Sequence, residues 1–93
     1  MEEKFVDAWL LARQRAADLG VRLRPVPREK LLENARRSLS GSHVSDGFGR
    51  LEKLGRLDLS LEALVVDRRF TALFTDEEAN HALDNLLAGG YRF

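Results

Sequence analysis

The sequence predicts an all-α fold: one compact domain of four to five short helices. Apolar residues recur at helical spacing in every long segment, the segments are punctuated by Gly, Pro and Ser, and two segment starts carry capping side chains. The densest apolar stretch, LDLSLEALVVDRRFTALF from Leu57 to Phe74, reads as the centre of the core, with the rest of the chain built to cover it. Ninety-three residues make a single domain (1–93) of modest buried fraction. It divides into an N-terminal helix (1–19), a proline-containing connector (20–27) and a helical core (28–93).

The first helix begins at Glu2 or Glu3, whose charges suit the positive end of the helix dipole, and stops before Gly20, placed for a left-handed turn. Phe5, Trp9, Ala12, Ala16 and Leu19 form its core stripe. Val6, Leu10 and Ala17 make a second strip, and Leu11 faces away from both. A helix packed on one side needs less apolar surface than this. Either other elements cover it on two sides, or part of it meets another chain.

Residues 20–27, GVRLRPVP, cannot continue a helix, because Pro25 and Pro27 lack amide donors and push Arg24 and Val26 into extended geometry. Pro27 suits the first turn of a second helix over Arg28 to Leu39. Leu31, Leu32, Ala35 and Leu39 make its inner face, and Glu33 can pair with Arg37. SGSHVS, residues 40–45, is a loop. Ser45 or Asp46 caps a short helix over 47–54, weakened by Gly47 and Gly49, with Phe48, Leu51 and Leu54 inward.

Ser60 caps the next helix, with Leu61, Leu64 and Val65 inward and Glu62 and Asp67 elsewhere. Thr75 and Glu78 form a capping box that opens the last helix, Asp76 to Ala88. Ala79, Ala82, Leu83, Leu86 and Leu87 line that helix's inner face, and Gly89-Gly90 stops it. The core is expected to unite Trp9, Leu32, Phe48, Leu64, Phe70, Phe74 and Leu83. The order of a short apolar helix and a capped acidic one resembles the C-terminal tail of the adenylosuccinate lyase superfamily. The catalytic signature loop of those enzymes has no counterpart here, and no family assignment follows.

The composition, 44% hydrophobic and 32% charged, is that of a folding chain. The longest apolar run, Ala8 to Ala12, is far short of the roughly 20 residues that cross a bilayer, so no membrane partner is expected. The acidic start, MEEKFVDAW, argues against a secretory leader and for a cytoplasmic location. With no cysteine, a thiolate metal site or cysteine nucleophile is excluded. Twelve Arg against three Lys associates with bacterial or phage coding. Net charge is zero but uneven: +5 over residues 12–40 and −3 over 61–93.

No motif points to catalysis, and no cofactor or metal is expected. Ser42, His43, Ser45 and Asp46 are too close in one loop to form a serine triad, whose members converge from distant segments. Glu77, His81 and Asp84 share a helix face, yet no further His or Cys completes a metal site. Leu83 to Leu87 matches LxxLL, but its leucines serve the core stripe. The expected function is therefore a non-catalytic protein-interaction module: an adaptor, regulator or accessory subunit, possible as a homodimer. Its contact residues would be Val6, Leu10, Leu11, Tyr91 and Phe93. The alternative is a nucleic-acid-binding regulator whose basic face carries Arg13, Arg36 and Arg37.

Overall fold

In the computed structural model, residues 2–41 and 44–91 are described, and they form five α-helices joined by 3₁₀ turns with no strand among them. The helices are α1 (Glu2–Asp18), α2 (Leu31–Leu39), α3 (Phe48–Lys53), α4 (Leu61–Val65) and α5 (Asp76–Ala88). Glu2 and Glu3 occupy the first turn of α1, as the dipole favours. Gly20 at φ 89° lets the chain reverse, with Val21 N–H bonding Ala16 O and Gly20 N–H bonding Ala17 O. The same closure recurs at Gly55 and Gly90, where Arg56 N–H reaches Leu51 O and Tyr91 N–H reaches Leu86 O. Each bond satisfies a carbonyl that the end of a helix leaves open.

Two of the three side-chain caps read from the sequence are present. Ala63 N–H donates to Ser60 Oγ, and Thr75 and Glu78 exchange both bonds of a capping box. Pro27 leads into a 3₁₀ turn, Arg28–Lys30, that runs directly into α2. The cap expected at Ser45 or Asp46 is absent: Gly47, at φ 79°, stands at the N-terminus of α3 and no side chain caps it. Both side chains are engaged elsewhere, Ser45 with Glu62 and Asp46 with the Arg24 N–H.

One apolar cluster joins all five helices. The Leu57–Phe74 stretch supplies its centre: Leu57, Leu59, Leu61, Leu64, Val65, Phe70 and Phe74 are buried. Phe5 from α1 meets Phe70 and Phe74 edge-on, with ring centroids 5.5 and 5.3 Å apart. Such T-shaped pairs add to the burial energy of the rings. Trp9 and Phe48 are buried as expected, Leu32 packs partly buried against the cluster, and Leu83 is only partly buried.

The leucines nearest helix ends depart from expectation. Leu19 is 44% exposed, Leu54 50% and Leu87 56%, because each stands where the chain leaves its helix and no packed element continues over it. Val6 departs the other way. It is buried, since α1 packs against α2, α4 and the 3₁₀ turn over 57–59, which widens its buried stripe. Glu62 is the largest correction. It was expected away from the core face, yet it is 1% exposed.

Candidate functional site

Two surfaces emerge from this packing. The first is the outer face of α1. Its inner stripe, Phe5, Val6, Trp9, Ala12 and Ala16, is committed to the core, which turns Leu10 and Leu11 outward at 36% and 53% exposure. One polar contact ties this helix to the turn before α2, and another lies within the helix itself. Arg28 bridges to Asp7 at 2.6 Å, and Gln14 bonds Asp18 at 3.1 Å. Of the contact residues expected from the sequence that are described, only this adjacent pair stands clear of the protein as an apolar surface. Val6 belongs to the core, Tyr91 is partly buried against it, and Phe93 lies outside the described residues.

The second surface is a groove of about 500 Å³. Trp9 and Arg13 of α1 line one wall, Asn34 and Ser38 of α2 the other, and Arg24, Val26, Ser45 and Asp46 close it above Leu61. The Arg13 guanidinium lies over the indole of Trp9, 5.4 Å from the ring centroid, and donates to the Arg24 carbonyl. Burial pulls Arg13 below its ordinary pKa, and the charge of Asp46 acts the other way. Asp46 itself accepts from Arg24 N–H at 2.8 Å.

Behind the groove, Glu62 fastens the segment that precedes α3. Its Oε2 accepts from Ser45 N–H at 2.8 Å and its Oε1 from Ser45 Oγ–H at 2.5 Å. Two charge-assisted bonds offset the cost of burying a carboxylate. Ser45 is 7% exposed and its hydroxyl is committed to Glu62, so the pair ties the segment before α3 to α4.

The three arginines of the expected basic face do not share one surface in the same way. Arg13 lines the groove. Arg37 borders a smaller neighbouring depression and pairs with Glu33 at 3.5 Å, while Arg36 reaches away to donate to Leu73 O at 2.6 Å. His81 stands 3.3 Å from the Asn85 amide, and no group of three potential metal ligands occurs among the described residues. Ser42 and His43 lie outside the described residues. No described helix is long and apolar enough to cross a membrane. No known family, curated protein or solved structure matches this chain.

Proposed function

We propose that this chain is a non-catalytic protein-interaction module, an adaptor, regulator or accessory subunit, that docks through the outer face of α1. The adjacent exposed leucines Leu10 and Leu11 carry the reading. Isolated surface leucines are ordinary, whereas two neighbouring ones on a helix whose opposite face is held in the core suit the apolar centre of an interface. Nucleic-acid binding through Arg13, Arg36 and Arg37 has less support. The three do not share one surface, since Arg13 and Arg37 border adjoining depressions while Arg36 reaches away to Leu73 O, and phosphate binding draws on a concentrated basic face.

The test is retention of a native partner on immobilised protein. Wild-type protein should hold a defined partner that Leu10→Glu and Leu11→Glu both lose, while Arg36→Gln keeps it. Retention unaffected by either leucine substitution, in folded protein, would refute this use of α1.

A further inference from the structure

The geometry points to a second docking element: the groove beside Trp9 seats an acidic peptide segment of a partner protein, its carboxylates on Arg13 and Arg37 and its apolar side chains over Val26. This rests on the reading of the chain as a protein-interaction module, but it uses a face other than that of Leu10 and Leu11.

A neighbouring depression of about 260 Å³ adjoins the groove at Val26 and Asn34. Arg13 and Arg24 line the groove, Lys30 and Arg37 the depression, against the carboxylates Asp46 and Glu33. The residues lining the two depressions are therefore together net positive in a chain whose total charge is zero. Of the five donors on a guanidinium, Arg13 commits one to the Arg24 carbonyl, which leaves others for an incoming carboxylate. A partly desolvated cation gains more from such a partner than one in open water. The Glu33–Arg37 pair is long and both side chains are mostly exposed, so it exchanges readily for another carboxylate.

The same features favour peptide over nucleic acid. A phosphate chain presents a charge at every step, and some would face Asp46 and Glu33, whereas a peptide can space its carboxylates to avoid them. Single-stranded nucleic acid also needs an open aromatic face for its bases. Trp9 is 4% exposed and lies under Arg13.

Trp9 is the chain's single tryptophan and lines the groove, so its emission responds to an occupant there. Three labelled probes separate the possibilities: a short peptide alternating glutamate with leucine and phenylalanine, its lysine counterpart, and an oligothymidine. The acidic peptide alone should raise probe anisotropy and alter Trp9 emission, saturably and less at high salt. Arg13→Gln should weaken it about tenfold and Arg37→Gln several-fold, with helicity unchanged. Glu33→Gln should tighten it, and Leu11→Glu should leave it unaffected. Equal binding of the lysine peptide, tighter binding of the oligothymidine, or no response to the acidic peptide would each overturn the proposal. The two surfaces fail separately. A silent groove with partner retention still lost in Leu11→Glu refutes the groove alone, and a responsive groove with retention unaffected refutes the helix face alone.

Discussion

Substituting Ser45 by Ala removes one of the two bonds on the most deeply buried carboxylate of the described residues. Glu62 is 1% exposed, and the lost bond is the 2.5 Å contact from Ser45 Oγ to its Oε1. A hydrogen bond to a charged group contributes about 1.5–3 kcal/mol. In a domain of this size each kcal/mol moves the melting temperature by about 4–8 °C, so Ser45→Ala should melt about 6–24 °C lower. Glu62→Ala should cost about 3–4 kcal/mol, because it also leaves the buried Ser45 N–H unpaired and removes buried methylenes. Glu62→Gln should be the mildest of the three. Its amide oxygen keeps an acceptor for Ser45 N–H, and its amide nitrogen can donate to a rotated hydroxyl. Thermal unfolding by circular dichroism at neutral pH reads all three. A Ser45→Ala melting point within about 2 °C of wild type, or Glu62→Gln as damaging as Glu62→Ala, would refute the claim that this pair fastens the residues before α3 to α4.

Phe70→Ala should cost about 3–5 kcal/mol, much of the 5–15 typical of a whole domain, since the ring is 1% exposed and stacks edge-on against Phe5. Denaturant unfolding checks it, and cooperative unfolding near the wild-type midpoint would place the core elsewhere. Gly47→Ala should destabilise by about 1–3 kcal/mol, because φ is 79° and a Cβ would overlap Leu23 Cδ2. Gly49→Ala, with open space around it inside α3, should be neutral or stabilising in the same assay. In acid, hydrogen bonding from Arg56 holds Asp58 below its ordinary value of 3.8, with the charges of Arg56 and Arg15 assisting against burial. A depressed carboxylate stabilises above its unfolded pKa and loses that contribution as pH falls through the folded one. Asp58→Asn should therefore shrink the fall in melting temperature below pH 3.8, and a steeper fall would contradict the assignment.

Local grammar was the legible part of this fold. Thr75 with Glu78 and Ser60 before Leu61 each announce a helix start, because a capping side chain acts within one turn and needs no tertiary knowledge. Gly20 and Gly55 announce stops for the same reason. Tertiary extent was not legible. Leu19, Leu54 and Leu87 all continue a helical apolar period, but period cannot tell whether a neighbour extends far enough to cover the last turn. Val6 shows the converse, buried because three elements converge on α1.

Glu62 was misread for a further reason. An amphipathic stripe presumes that a helix has an outer face, and α4 has only five residues, four of them buried. A helix that short between apolar neighbours is enclosed all round, and its one acidic residue must then find a partner inside. The run LEALVV carries that signal in its density of apolar residues. The candidate surfaces were legible in part: Leu10 and Leu11 from their position off the core stripe, but not the groove, whose walls come from segments far apart in the chain.

The central claim is that α1 divides its apolar residues between a core stripe and a contact face. Light scattering over a concentration series, paired with thermal melts, tests it on Leu10→Glu, Leu11→Glu and Val6→Glu. Val6→Glu should lower the melting temperature sharply. Leu10→Glu and Leu11→Glu should melt within a few degrees of wild type, consistent with the ±0.5 kcal/mol usual at exposed sites. Any concentration-dependent mass of the wild type should vanish in both leucine variants, since a two-fold axis would let one patch serve both copies. Unfolding of Leu10→Glu or Leu11→Glu, or a self-association that both leave intact, would contradict the division.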